Sequence, residues 1–163
     1  PVRDAHGTVW SVQKIGADCY LLPVPVYADR AAHRDAFMSQ RSVQDVVMQA
    51  RRANMAVLSV GSLANDSPVA SYGFIRPSEF EELKAAGAVG DILCHFIDAE
   101  GHLVDHDVNR RVCAYPLESL ADIRNIVLVS GGADKVAVMR AALKSVKAAV
   151  LITDEDAARG LLA

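Results

Sequence analysis

Short apolar runs alternate with amphipathic stretches along most of the chain. The apolar runs predict strands, at 18–24, 55–60, 126–129 and 149–152. The stretches with helical spacing predict helices, at 29–38, 42–52, 77–86, 135–143 and 154–162. Strands that alternate with helices in this way are typical of a parallel sheet with helices packed against it. The pattern therefore predicts an α/β fold with a mostly parallel, Rossmann-like sheet.

Residue types at the element ends support this assignment. Oxygen-bearing side chains that can cap a first helical turn occur at Asp29, Ser42 and Thr153. Gly87 is a suitable end for the helix at 77–86, and Gly16 for an amphipathic stretch at 9–16.

One antiparallel excursion interrupts the parallel pattern. Residues 92–97 and 102–106 flank a turn signal at 98–101 that ends in glycine, which predicts a hairpin. Residues 111–115 are a candidate for one more strand.

Composition limits the classes of function. The 163 residues are 52% apolar and 23% charged, which suits one domain with a sizeable core. The net charge of −3 argues against nucleic-acid binding by this segment, because phosphate binding needs a basic surface. The sequence has no apolar run of membrane-spanning length and no signal-peptide pattern, so we expect a cytoplasmic protein with no membrane contact. Cys19, Cys94 and Cys113 are odd in number and lack CxxC spacing, and two of them lie in apolar strand-like runs. Buried free thiols are therefore expected.

Two glycine-bracketed segments carry the candidate chemistry. Asp91 follows Gly90 at the mouth of an apolar strand, and Lys135 follows Gly131-Gly132 in the first turns of a helix. A polar loop that begins after Val60 lies at the carboxyl end of a strand, where open α/β sheets bind ligands. A carboxylate, a lysine and free backbone N–H groups together suit a polyhydroxylated or phosphorylated ligand.

Each of these residues also has a purely structural explanation. Asp91 can close a turn by bonding neighbouring backbone groups, and Lys135 can be a solvated helix lysine. The glycine pair lacks the spacing of a P-loop or of a GxGxxG dinucleotide fingerprint.

A metal site is a further alternative. His95, His102 and His106 lie on either side of the predicted hairpin, but their spacing does not match a zinc finger. The GxSxG elbow of a serine hydrolase is absent. We therefore expect no metal and no cofactor, with a metal-dependent hydrolase as the remote alternative.

From Leu21 to the C-terminus the sequence resembles the effector-binding domain of the SorC family of bacterial transcriptional regulators, of the deoxyribonucleoside-regulator type. The matching segments follow the family order, and they are 22–25, 42–46, 61–63, 87–92, 96–101, 130–135 and 151–155. The resemblance implies a fold similar to sugar-phosphate isomerases and glucosamine-phosphate deaminases. In this family the fold senses a sugar, sugar phosphate or polyol effector without catalysing a reaction.

The resemblance also implies roles for particular residues. Asp91 would hydrogen-bond sugar hydroxyls, and Lys135 would lie against the ligand or its phosphate. Backbone and hydroxyl contacts would come from Gly131, Gly132, Gly61 and Ser62. Ser71-Tyr72 stands before Gly73, at a position where phosphosugar-binding members often have arginine. Because that arginine is absent here, a neutral sugar or polyol is an alternative to a phosphosugar as the effector.

Family members bind operator DNA through an N-terminal helix-turn-helix and assemble as dimers or tetramers. This sequence has neither the helix-turn-helix nor the first strand and glycine-rich loop of the family. We therefore expect residues 1–163 to be an N-terminally incomplete effector domain that self-associates and meets DNA only through the missing domain. The alternative is a sugar-phosphate isomerase or deaminase, which needs a placed general acid and base beyond the one carboxylate and one lysine found.

Overall fold

The computed structural model describes residue 14, residues 16–64 and residues 67–163. Within this part of the chain the strands are β1 (Met55–Leu58), β2 (Val60–Ser62), β3 (Ala88–Ile92), β4 (His95–Asp98), β5 (Asn125–Val129) and β6 (Val150–Ile152). The helices are α1 (Ala31–Met38), α2 (Arg41–Arg51), α3 (Pro68–Ser71), α4 (Pro77–Ala85), α5 (Asp107–Arg110), α6 (Val136–Ser145) and α7 (Glu155–Leu162). Two short 3-10 helices span Leu117–Asp122 and Ala133–Lys135.

The helices predicted from the pattern at 29–38, 42–52, 77–86, 135–143 and 154–162 are confirmed as α1, α2, α4, α6 and α7, with small shifts at their ends. Gly87 follows α4 with a φ of 90°, a left-handed conformation that suits glycine. The predicted helix at 9–16 falls almost wholly outside the described residues.

The predicted N-caps were wrong. Gln40 is the N-cap residue of α2, so Ser42 lies inside the first turn rather than before it. Asp154, and not Thr153, caps α7, because its carboxylate accepts a hydrogen bond of 2.8 Å from the Ala157 N–H. Arg30 rather than Asp29 precedes α1.

The parallel part of the fold is a three-stranded sheet in the order β1-β5-β6. Leu58 is in register with Leu128, and Leu128 with Leu151, so these three side chains share one face. That face packs on α6, whose Val138 and Met139 are fully buried. Apolar burial on this face forms the main core of the domain.

The opposite face of the same sheet carries aliphatic side chains that the described residues leave exposed. They are Met55, Val57, Val129, Val150 and Ile152. The apolar run at 55–60 is therefore buried only in part, because Met55 and Val57 are exposed. Parallel sheets normally have both faces covered.

The antiparallel part is a second three-stranded sheet in the order β2-β3-β4. The predicted single strand at 55–60 is divided at Ser59 between the two sheets. Gly61 of β2 pairs with Asp91 of β3, and Asp91 pairs with Phe96 of β4. The fold is thus mixed α/β with one parallel and one antiparallel sheet, rather than the mostly parallel sheet that was predicted.

The hairpin is displaced from its predicted position. It joins β3 to β4 through Leu93 and Cys94, both with left-handed φ values, 51° and 63°. The sequence gives no Gly or Asn signal at this turn, which is why the glycine-ended turn at 98–101 was preferred. Beyond that second turn only an isolated bridge forms, between Ile97 and Leu103.

Two further strand predictions were wrong. Residues 18–24 form no ladder, in keeping with the missing N–H group of Pro23. Residues 111–115 contribute a single bridge, between Tyr27 and Val112.

Candidate functional site

Asp91 is the centre of the candidate site. It is only 8% exposed, and its Oδ2 accepts a hydrogen bond of 3.1 Å from the Cys94 N–H. The carboxylate lies over Gly61: a Cβ added at residue 61 would come within 2.1 Å of Asp91 Oδ1. No described residue donates a hydrogen bond to Oδ1. One oxygen of a nearly buried carboxylate thus bonds to the chain, and within the described ranges the other oxygen accepts no hydrogen bond.

Burial dominates the electrostatics of this carboxylate. Desolvation raises the pKa of Asp91 to about 6, and the Cys94 N–H and the positive charge of Lys135 only partly oppose that rise. The two side chains make no direct ion pair, so Lys135 acts on Asp91 through space. The sequence prediction that this lysine and this carboxylate share one region is consistent with that influence.

Lys135 is half-buried and ends the short 3-10 helix that contacts β2. The loop before it is held by Asp154, whose Oδ2 accepts a hydrogen bond of 2.5 Å from the Gly132 N–H. A Cβ at Gly131 would come within 2.2 Å of the same Oδ2. The Gly132 N–H is therefore already bonded inside the chain, and Asp154 is a loop-holding residue that sequence reasoning missed.

Gly61 and Ser62 lie in β2, opposite Asp91 and Gly90 of β3. Both are half-buried. Gly61 provides the room for the Asp91 carboxylate, whereas nothing in the described contacts gives Ser62 a specific bond.

Two buried hydroxyls were not predicted. Ser130 at the end of β5 and Ser67 before α3 are 7% and 6% exposed, and neither Oγ has a hydrogen-bond partner among the described residues. A buried hydroxyl without a partner is costly, so each suits a water or a ligand. Their only sequence signal is position, each at or after the carboxyl end of a strand.

The three histidines considered as a metal site do not converge. His95 Nδ1 donates to the Leu93 carbonyl at 2.9 Å, His102 lies 3.8 Å from Asp98, and His106 lies 3.3 Å from Glu82. Within the described ranges no group of three or more His, Cys, Asp or Glu side chains is placed to hold a metal ion.

The cysteines are free, but only Cys113 is buried. Cys94 is half-buried and Cys19 is exposed, so the prediction of buried thiols was wrong for Cys19. Burial raises the pKa of the Cys94 thiol to about 12, which keeps it protonated at neutral pH.

A separate cleft of about 510 Å³ lies between the start of α4 and α5. Most of its charged lining is already paired. Arg111, with a 10% exposed side chain, forms an ion pair with Glu79 and another of 3.0 Å with Asp107. Arg111 also donates to the Ala28 carbonyl at 3.2 Å. The contacts of Arg111 in this cleft therefore connect α4, α5 and the segment that contains Tyr27.

None of the helices in the described ranges is both long and apolar enough to cross a membrane.

A desolvated carboxylate with a lysine nearby has the chemistry of a ligand-binding site, and the match to a family model identifies the class of domain. The chain belongs to the family described as "Putative sugar-binding domain", whose model matches residues 11–163. The predicted membership of the regulator family is confirmed by its relatives.

The erythritol catabolism regulatory protein EryD of Brucella abortus is 35% identical over 150 residues, covering 92% of this chain and 47% of that protein. The deoxyribonucleoside regulator of Bacillus subtilis is 32% identical over 141 residues, 86% of this chain and 45% of that protein. The chain thus spans about half the length of the curated relatives it matches.

Solved structures of sugar-binding domains from transcriptional regulators share this fold. The "putative sugar-binding domain" of a transcriptional repressor from Vibrio fischeri is 30% identical and superposes with a TM-score of 0.83, covering 93% of this chain and 61% of that one. The full-length sorbitol operon regulator SorC of Klebsiella pneumoniae, at 23% identity, shares the fold with a TM-score of 0.83, over 96% of this chain and 51% of that chain.

Proposed function

We propose that this chain is the effector-sensing part of a transcriptional regulator, and that it binds a sugar, a sugar phosphate or a polyol without converting it. The observation that carries the proposal is the Asp91 carboxylate, nearly buried and with no donor from a described residue on Oδ1. A ligand hydroxyl supplies that donor, and a bond to a charged acceptor is stronger than one between neutral groups.

The remaining contacts come from two strand ends. Lys135 supplies a positive charge, and the unpartnered hydroxyl of Ser130 supplies a donor and acceptor for a polyhydroxylated molecule. We assign the other contacts to the segments that contain Gly61, Ser62, Gly131 and Gly132, as the family resemblance implies. The Gly132 N–H is already bonded to Asp154, and the Asp91 carboxylate fills the space beside Gly61.

The described residues suit a neutral ligand as well as a phosphorylated one. Lys135 is a point charge that suits a phosphate, but the loop before Gly73 carries Ser71 and the exposed Tyr72 in place of an arginine. Two relatives are named for erythritol and for deoxyribonucleosides, which are uncharged hydroxylated compounds.

In this proposal the regulator works by population shift. The effector favours one arrangement of a dimer or tetramer and so changes the affinity of a separate DNA-binding domain for operator DNA. The exposed aliphatic face of the β1-β5-β6 sheet supports self-association, because apolar patches of this kind mark contact surfaces. A cytoplasmic location follows from the proposed contact with DNA.

The proposal also includes a fold related to sugar-phosphate isomerases and deaminases, with the catalytic function absent. An isomerase or a deaminase needs a general acid and a general base placed at its reacting atoms. Among the described contacts, Asp91 and Lys135 are not accompanied by a second such pair.

A thermal-shift screen of the complete gene product tests the function. The probes are erythritol, erythritol 4-phosphate, 2-deoxyribose and 2-deoxyribose 5-phosphate. Binding is detectable by this method because a ligand at about 100 times its Kd adds about 2.7 kcal/mol of stability. We expect one probe class to raise the melting temperature of the wild type and not of Asp91→Ala. Turnover of a probe, or an equal shift in both proteins, contradicts the proposal.

A further inference from the structure

The turn between β3 and β4 is strained and lies next to the candidate site. Leu93 and Cys94 both adopt left-handed φ values, 51° and 63°, which glycine and asparagine favour and which leucine and cysteine resist. Such a conformation persists only when the surrounding contacts enforce it.

Three side chains supply those contacts. Asp91 Oδ2 accepts the Cys94 N–H at 3.1 Å, and the Tyr27 hydroxyl donates to the Cys94 carbonyl at 2.8 Å. The His95 Nδ1–H donates to the Leu93 carbonyl at 2.9 Å. Cys94 is therefore held on both sides, by Asp91 at its N–H and by Tyr27 at its carbonyl.

Tyr27 is itself firmly placed. The backbone of Tyr27 forms an antiparallel β-bridge with Val112. The residues on either side of Tyr27 are bonded to the same segment: the Ala28 N–H donates to the Arg111 carbonyl at 2.9 Å, and the Cys113 N–H donates to the Val26 carbonyl at 2.8 Å. Burial raises the pKa of the Tyr27 hydroxyl well above its usual value, so the group stays protonated and remains a donor at all working pH values.

We propose that Tyr27 is a positioning residue for Asp91, and that it acts through the Cys94 peptide groups. This inference rests on the proposed role of Asp91 in effector binding. Without the Tyr27 hydroxyl, the strained turn relaxes and the Cys94 N–H leaves Oδ2. The carboxylate then loses both its orientation and the backbone bond that favours its charged form.

The test measures the titration of Asp91 in the ligand-free complete gene product, by NMR with 13C-labelled aspartate. Loss of a signal in Asp91→Asn identifies the residue. The groups that face this carboxylate are Lys135 from the 3-10 helix, the Cys94 thiol and Tyr27, and only the last is changed. We expect Tyr27→Phe to raise the midpoint from about 6 by roughly 0.5–1 pH unit.

Tyr115→Phe is the matched control, because the Tyr115 hydroxyl also donates to a backbone carbonyl, that of Ser119 at 3.1 Å. It should leave the Asp91 titration unchanged. The second variant, Tyr27→Phe with Cys94→Gly, tests the route, because glycine removes the strain at position 94 and the midpoint should return toward that of the wild type. Cys94→Gly alone is its reference and shows what the loss of the thiol contributes.

An unchanged Asp91 midpoint in Tyr27→Phe overturns the proposal, and so does a double variant that fails to recover. If Tyr27→Phe does not fold, the double variant must fold with the wild-type midpoint, or the proposal is wrong.

Calorimetry with erythritol and 2-deoxyribose 5-phosphate separates this proposal from the proposed function. We expect Tyr27→Phe to weaken binding of the active probe about 2- to 10-fold. If Asp91→Asn binds both probes as the wild type does while the Tyr27→Phe midpoint shifts, the positioning role stands and the effector role of Asp91 fails. If Asp91→Asn loses binding while Tyr27→Phe changes neither midpoint nor affinity, the reverse holds.

Discussion

Asp91 lies against the backbone of Gly61 on the neighbouring strand, so closely that a methyl group at position 61 would come within 2.1 Å of Oδ1. The site carboxylate and the glycine are thus one packing unit that joins β2 to β3. This contact explains the glycine at position 61 within β2, because a larger residue there cannot coexist with the carboxylate in its present rotamer.

Gly61→Ala should lower the free energy of unfolding by roughly 1–3 kcal/mol, because the new methyl group overpacks against Asp91. The measurement is urea unfolding of the variant and of Gly61→Ala combined with Asp91→Ala. Removing the carboxylate relieves the clash, so the double variant should lose less than the sum of the single losses. Additive losses would show that the two residues are independent.

Asp91→Asn should change how stability depends on pH. The folded-state pKa of Asp91 lies at about 6, above the 3.8 of an unperturbed aspartate. A raised carboxyl pKa contributes stability below the unfolded value, and this contribution is lost as pH rises through the folded value. The wild type should therefore lose roughly 2–3 kcal/mol between pH 4 and 7 that Asp91→Asn does not lose.

Urea unfolding of both proteins across that pH range checks this, with Asp45→Asn, a change at an exposed carboxylate, as the control. Parallel curves for wild type and Asp91→Asn would place the Asp91 pKa at its ordinary value.

Lys135→Met should weaken effector binding on the order of 10- to 100-fold if the effector is phosphorylated, since it removes a charge-assisted bond. For a neutral polyol the loss should be smaller than that caused by Asp91→Ala. Calorimetry with the probe found in the screen decides between these results. Lys147→Met, which changes an exposed lysine, should bind like the wild type. If Lys135→Met and Lys147→Met bind the effector with equal affinity, Lys135 makes no contact with the effector and is a solvated helix lysine.

Arg111→Met should destabilise the chain by roughly 1.5–3 kcal/mol, because it removes one of the two arginine partners of the nearly buried Glu79 and leaves only Arg76. The Arg111 and Glu79 side chains are at most 10% exposed. Burial opposes ionisation of Glu79, but the Arg76 hydrogen bonds and the Arg111 charge outweigh it and keep the pKa of Glu79 below its usual range.

Arg159→Met breaks an ion pair whose side chains are 75% and 77% exposed, and it should cost less than about 1 kcal/mol. Thermal unfolding of both variants measures the contrast. Similar small losses in the two variants would show that the Arg111 pair is solvated.

The sequence predicted five helices and the strands β1, β5 and β6, because hydrophobic periodicity is a local signal. It misplaced the N-caps, and it predicted a strand at 18–24 that does not form. The sequence also predicted that Asp91 and Lys135 lie in one ligand site, although a purely structural role remained an alternative for each residue. The family resemblance was carried by short segments such as 87–92 and 130–135, whose residue types are visible without a structure.

Tertiary structure alone decided three things. The turn at Leu93–Cys94 has no local signal, since it is held by the hydroxyl of Tyr27, 67 positions away along the chain. The division of 55–60 between two sheets depends on strands that come later in the chain. The elevated pKa of Asp91 follows from burial, which depends on how β2, β3 and the Lys135 segment pack and not on residue identity. Long-range hydrogen bonds and desolvation arise only when distant segments meet, so no local pattern encodes them.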